Sequence, residues 1–221
     1  MTGIISDIHG NFSALKAVLD VLDEKGVNEI YCLGDVVGYF SQINECCNEL
    51  KKRRVKCVMG NHDWYMVSGS FCPRSKSVND CLQFQRKIIT KENLEWLSGF
   101  SLFIKNDIGH MVHGGWTNPI DEYLEPNEEY FNKLPADRYF SGHSHIQKLI
   151  KYKSSEYCNP GSVGQPRDGD CRASFALLHG GEIELCKVNY DIEMTCRLMD
   201  ESGFSPYYYG SLKDGSRYLH E

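Results

Sequence analysis

No stretch of the 221-residue chain approaches the ~18 consecutive apolar residues that a membrane span needs, and the N-terminus has neither a basic head nor an apolar signal core. A cytoplasmic protein with no membrane partner is expected. Excess positive charge is missing too: 24 basic residues face 30 acidic ones, a formal net charge of −6. That balance does not draw the chain to phosphate backbones or anionic lipid, so no stable nucleic-acid complex is expected. Cys-x-x-Cys pairs are absent despite ten cysteines, and Cys32, Cys57 and Cys186 sit in apolar surroundings. They read as buried, reduced thiols rather than as a disulfide scaffold. No internal repeat, low-complexity tract or linker divides the chain, so residues 1–221 form a single domain. A globular chain of this length buries roughly 70% of its unfolded surface and needs neither metal nor disulfide merely to fold.

What the chain does have is an alternation of apolar patterns. Thr2 to Ser6 is a short apolar run, after which Phe12, Leu15, Val18, Leu19 and Leu22 recur at helical spacing until Gly26. Glu29 to Leu33 reads as strand, Ile43 to Arg54 as helix and Val55 to Met59 as strand, which predicts a parallel sheet with helices on its faces. From Trp64 to Leu97 the composition loosens around Gly69, Ser70, Pro73 and Ser75 before two helices, Val78 to Ile89 and Lys91 to Leu97. Residues 64–98 are therefore a candidate helical cap beside a site. Short strands then follow at Leu102 to Lys105, His110 to His113, Arg138 to Ser141, Gln147 to Tyr152, Ser174 to His179 and Glu182 to Val188. The last pair is joined at Gly180-Gly181 as a hairpin, and a helix spans Tyr190 to Met199. The later sheet is thus more antiparallel. The polar tail from Ser202 to Glu221 carries Tyr207, Tyr208 and Tyr209, which are expected to pack on the body rather than form a stacking platform.

Five of the eight histidines fall in short Gly- or Asp-containing blocks. Each of the first three strands ends in one: Asp7-Ile8-His9-Gly10-Asn11, Gly34-Asp35-Val36-Val37-Gly38 and Gly60-Asn61-His62-Asp63. Ligands of open α/β sheets bind outside the carboxyl ends of the strands, so these loops converge on one crevice. Residues two apart in extended chain point the same way, which would let Asp7 and His9 grip one ion together. Asp63 beside His62 could hold that imidazole in one tautomer and raise its basicity. Downstream lie Val112-His113-Gly114-Gly115 and Ser141-Gly142-His143-Ser144-His145, where the same spacing would put His143 and His145 on one side. The donors Asp7, His9, Asp35, Asn61, His113, His143 and His145 offer nitrogen and oxygen and no thiolate. They exceed what a single ion needs but fit two ions about 3.5–4 Å apart sharing one carboxylate. Manganese, iron, zinc, nickel and cobalt all suit such a set.

These blocks, in this order, resemble the calcineurin-like metallophosphoesterase superfamily, whose pattern is D-x-H, G-D-x-x-G, G-N-H-[DE], a later His-Gly and G-H-x-H. The Asn159-Pro160-Gly161-Ser162-Val163-Gly164-Gln165-Pro166-Arg167 segment is further similar to the small bacterial and archaeal phosphodiesterase-like branch, which includes diadenosine tetraphosphatases. The resemblance implies an α/β fold, a four-layer β-sandwich flanked by helices, in place of the open sheet. It also implies that Asp7, His9, Asp35 and His145 hold one ion and Asp35, Asn61, His113 and His143 a second, with manganese favoured. His62 would stand near the leaving oxygen, positioned by Asp63, and hydroxide held on the ions would attack a small phosphoester: a phosphodiester such as a dinucleoside polyphosphate or cyclic nucleotide, or a monoester. Arg167, with its planar fork, would pair with a phosphate oxygen. Two departures stand out. Val37-Gly38-Tyr39 replaces the Asp-Arg-Gly of protein phosphatases, which argues against that activity, and Trp116 stands where close relatives carry a polar residue. The alternatives are a non-catalytic scaffold of the same fold, which needs a damaged ligand set, and a nuclease, which the acidic balance disfavours.

Overall fold

The computed structural model describes residues 1–216; residues 217–221, the end of the tail, lie outside the described residues. In chain order the elements begin β1 (Thr2–Ile5), α1 (Phe12–Glu24), β2 (Glu29–Cys32), α2 (Ile43–Lys52), β3 (Lys56–Cys57), α3 (Asn61–Ser68), α4 (Lys76–Ile88) and α5 (Lys91–Ser98). They continue with β4 (Ile104–Asn106), β5 (Gly109–Met111), α6 (Glu128–Phe131), β6 (Arg138–Phe140), β7 (Lys148–Lys151), β8 (Glu156–Asn159), β9 (Ala173–His179), β10 (Glu182–Val188) and α7 (Ile192–Glu201), before two 3₁₀ turns.

The strands form two five-stranded sheets, ordered β10-β9-β1-β2-β3 and β4-β5-β6-β8-β7. Each holds a parallel triplet: β1-β2-β3 at one side of the first sheet, with the antiparallel pair β9 and β10 beyond β1, and β5-β6-β8 at the middle of the second, flanked by the antiparallel β4 and β7. The single open sheet expected from strand and helix alternation is therefore wrong, because the apolar alternation of the strands demands two buried faces. Ile4, Tyr31 and Leu33 of the first sheet meet Met111, Phe140 and Cys158 of the second in a core between the sheets. One residue along, Ile5 and Cys32 point the other way, onto α1 and α2. The outer face of the second sheet carries Tyr139 and Tyr157, covered by Phe131 of α6 and neighbouring loops.

Helix α1 starts where Asn11 accepts the Ala14 N–H at 3.2 Å, and its stripe of Leu15, Val18, Leu19 and Leu22 is fully buried. Three elements were not legible. β8 is four residues with polar ends, α6 is a single turn, and α3 begins on the Gly60-Asn61-His62-Asp63 block, whose buried polar residues follow no apolar period. All ten cysteines are free thiols, eight of them buried. Among the described residues no helix is long and apolar enough to cross a membrane.

Candidate metal centre

Both parallel triplets aim their carboxyl ends at one place. β1 runs into Asp7 and His9, β2 into Asp35 and β3 into Asn61 and His62; from the facing sheet β5 runs into His113, β6 into His143 and His145, and β8 into the loop bearing Gln165 and Arg167. All seven candidate ligands are buried. The chain is not extended at these residues, contrary to the alternation argument. Asp7, His9, Asp35, His143 and His145 all have positive φ, between 54° and 65°. Asp and His tolerate this left-handed region better than most residues, and it turns each side chain inward from the strand end. His143 and His145 consequently part company: ligand atoms converge in three groups, Asp7 with His9 and His145, His9 with Asp35 and His62, and Asp35 with His113 and His143.

Backbone carbonyls set the imidazole tautomers. His9 Nδ1 donates to Val37 O at 3.0 Å and His145 Nδ1 to Gln165 O at 2.6 Å, which leaves both Nε2 lone pairs facing each other at 3.1 Å. Burial pushes both imidazoles below their ordinary pKa, so no proton relieves that contact. Asp7 Oδ1, 3.2 Å from His145 Nε2, is buried without a hydrogen-bond donor among the described residues. On the other side His113 Nδ1 donates to Leu33 O at 2.7 Å, and its Nε2 lies 3.1 Å from both Asn61 Oδ1 and His143 Nδ1. Burial opposes charge on His113, yet the Asp35 and Asp7 carboxylates outweigh it and hold the imidazole up at about 10. Asp35 is central, with Oδ2 at 3.3 Å from His113 Nε2, 3.7 Å from His9 Nε2 and 3.9 Å from His62 Nε2. Opposed lone pairs, an orphaned carboxylate oxygen and a histidine driven to hold a proton all mark a cluster short of positive charge. The donor set fits divalent cations.

Asp63 does not touch His62. Its carboxylate accepts the N–H groups of Asp35 at 2.8 Å, Val36 at 2.9 Å, Val37 at 3.2 Å and Gly60 at 3.1 Å. Successive residues of a helix point about 100° apart, so the aspartate on α3 caps the Asp35 loop while His62 turns to the cluster. Among the described residues His62 Nδ1 has no hydrogen-bond partner, and burial lowers the imidazole to about 4. Arg167 donates from Nη2 to Tyr39 Oη at 2.8 Å and Gln165 Oε1 at 2.7 Å. Trp116 lies elsewhere, packed on Phe131 and Tyr139 under the second sheet. Gln85 escaped sequence reasoning. Buried on α4, it accepts from Gly38 N at 3.0 Å and donates to the Gly38 and Phe40 carbonyls at 2.7 Å. It was legible as the polar residue on the stripe Val78, Cys81, Leu82, Gln85. Gly38 has φ 141°, and a Cβ there would run into the His9 and His62 rings, so the loop must hold a glycine.

The cluster opens onto a cavity of about 840 Å³, lined by Asp35, His62 and Arg167 at one side and by Cys72, Arg74 and Ser75 of the segment before α4 at another. The profile of the calcineurin-like phosphoesterase superfamily domain matches residues 1–182. An uncharacterised protein of Methanocaldococcus jannaschii is 36% identical over 218 residues, covering 87% of this chain and 89% of that protein. A protein of Psychromonas ingrahamii, named as a symmetrical bis(5'-nucleosyl)-tetraphosphatase, is 25% identical over 210 residues, covering 90% of this chain and 72% of its own. Among solved structures, a metallophosphoesterase from Sphaerobacter thermophilus superposes with a TM-score of 0.84 at 28% identity, covering 97% of this chain and 98% of the other.

Proposed function

The chain belongs to the calcineurin-like phosphoesterase superfamily, and from that we propose that it is a phosphohydrolase working with two divalent cations, manganese favoured. The observation that carries this reading is the Asp35 carboxylate, shared between ligand groups built from opposite sheets. Asp7, His9, Asp35 and His145 would hold one cation, and Asp35, Asn61, His113 and His143 the other. Bound there, such ions supply Lewis-acid neutralisation of phosphoryl charge and bring the pKa of a water toward neutrality.

The chain's own groups do the rest. His62, buried on the cavity wall, gives a proton to the leaving oxygen. Burial keeps it neutral in the free site, and the negative charge of an arriving phosphoryl group raises its pKa, so the proton is taken up with the substrate. Arg167, fixed by Tyr39 and Gln165, turns its remaining N–H groups to a non-bridging oxygen. The cap segment, residues 64–98, reaches the cavity through Cys72, Arg74, Ser75 and the first turns of α4. The substrate is a small phosphoester; the tetraphosphatase relative puts dinucleoside polyphosphates into the test panel beside cyclic nucleotides, simple diesters and monoesters. Ten free thiols favour the reducing cytoplasm.

Hydrolysis of bis-p-nitrophenyl phosphate, with and without manganese and alongside elemental analysis, is the test. Manganese-dependent turnover with two ions per chain is expected. Protein that stays inert and metal-free after loading would sink the reading in favour of the scaffold, and tight, salt-sensitive DNA binding would favour the nuclease.

A further inference from the structure

Among the described residues four tyrosines line the cavity, and three have evident structural work. Tyr39 accepts from Arg167, Tyr208 donates to Asp80 Oδ2 of α4 at 3.0 Å, and Tyr123 lies against the His143 ring, tilted by 45° with centroids 4.1 Å apart. Tyr207 is different. It lies in the first 3₁₀ turn of the tail, Pro206–Tyr208, meets the neighbouring Tyr208 ring edge-on at 5.3 Å, and is 67% exposed while lining the same cavity as Asp35 and His62.

That exposure is not the looseness of a free tail. Phe204 meets Phe84 of α4 edge-on at 5.3 Å, and Tyr208 bonds the same helix. Tyr209 and Leu212 are buried with Phe40, Cys196 and Met199. Residues on both sides of Tyr207 are thus anchored, and one large ring is held out at the cavity rim. A tyrosine so fixed offers a flat apolar face at little further cost in side-chain entropy. The cavity wall also carries the hydroxyl residues Ser77 and Ser211, which can pair with heteroatoms. A cavity of about 840 Å³ also exceeds what a bare phosphoryl group fills.

We propose that Tyr207 is the stacking platform for the base of a nucleotide-type phosphoester whose phosphate sits at the Asp35 cluster, and that it thereby sets the preference for such substrates. The assignment deepens the phosphoesterase reading and rests on it for the position of the phosphate; the stack itself does not need turnover.

Two ligand pairs that differ only by the nucleoside or its base separate the two ideas. Equilibrium dialysis of the full chain, without added metal, compares adenosine with ribose, neither of which brings a phosphate to the uncompensated carboxylates. The manganese-loaded protein is assayed on thymidine 5'-p-nitrophenyl phosphate against methyl p-nitrophenyl phosphate. Wild type is expected to favour the base-bearing member of each pair about tenfold, the order that one base-to-aromatic stack carries. Tyr207→Ala should lose most of that preference and Tyr207→Trp should keep it. Equal affinity of wild type for the two dialysis ligands, or an undiminished preference in Tyr207→Ala, would overturn the proposal. An inert wild-type protein on both esters would count against the phosphoesterase reading, while the dialysis preference still decides the stack.

Discussion

Five candidate ligands sit in a backbone region that costs roughly 1–2 kcal/mol per residue for ordinary side chains. Hydrogen bonds between loops hold them there: Asp7 N to Gly34 O at 3.0 Å, His9 N to Asp35 O at 2.9 Å and Ser162 Oγ to Asp7 O at 2.7 Å. The roles proposed for individual side chains are separable by mutation. Asp35→Ala should lose both bound metal and turnover, because it removes the shared carboxylate. His62→Ala should keep its metal and lose about 10²–10⁴ in kcat, the usual worth of one proton donor. Its kcat profile should also lack the alkaline descent expected of wild type as His62 gives up its proton in the complex. Elemental analysis beside pH-rate measurements checks both variants, and loss of metal from His62→Ala would refute the division. Asp63→Ala is predicted to act through stability: four amide N–H groups lose their acceptor, at about 1–3 kcal/mol for each one left buried and unpaired. A melting temperature equal to wild type would contradict that role.

Loops at the ends of parallel strands make the site, and helices behind them make the loops. Gln85 of α4 grips the chain at Gly38 and Phe40, on both sides of Tyr39, and a Cβ on Gly38 would meet the His9 and His62 rings. Gln85→Leu, apolar and of similar size, should leave the buried N–H and carbonyls of that loop without partners. Groups that orient metal ligands are commonly worth 10–100-fold in affinity, and a loss of that order in manganese binding by calorimetry is expected. Gly38→Ala should be worse, since the clash falls on two imidazoles and the backbone there is left-handed.

For the molecule as a whole, two sheets meet face to face so that six parallel strand ends converge, and the buried cluster lacks cationic charge. Adding cations should therefore stabilise the fold. Manganese at a hundred times its Kd supplies about 2.7 kcal/mol, and a chain of this length should gain roughly 5–10 °C in Tm. Ligation requires neutral imidazoles and ionised carboxylates, and the bare cluster holds His113 up at about 10, so at a fixed manganese concentration the gain should be largest at alkaline pH and shrink steadily as pH falls below about 10. His113, held up at about 10 in the bare cluster, carries a proton at pH 7 that a cation must displace. Calorimetry in buffers of different ionisation enthalpy should record its release, and binding with no proton release would rule out His113 as a ligand.

Much of this was written in the chain. Phe12, Leu15, Val18, Leu19 and Leu22 announce α1 because a helix exposes its period in apolar spacing, and Asp7, Asp35, Asn61 and the histidines are conspicuous because polar donors seldom crowd strand ends beside glycine. Other features belong to distance rather than order. Asp63 looked like a partner for His62 because it is next in sequence; folded, it answers to Asp35, Val36 and Val37 across 26 to 28 residues. Extended-chain alternation put His143 with His145, and left-handed turns separate them. Tyr207 and Tyr209 are indistinguishable as letters, yet one is buried and the other stands at the cavity rim, since burial depends on what another part of the chain brings alongside. Local patterning names the donors and the elements; which donor faces which is settled by packing, and no pairwise spacing in the sequence carries that.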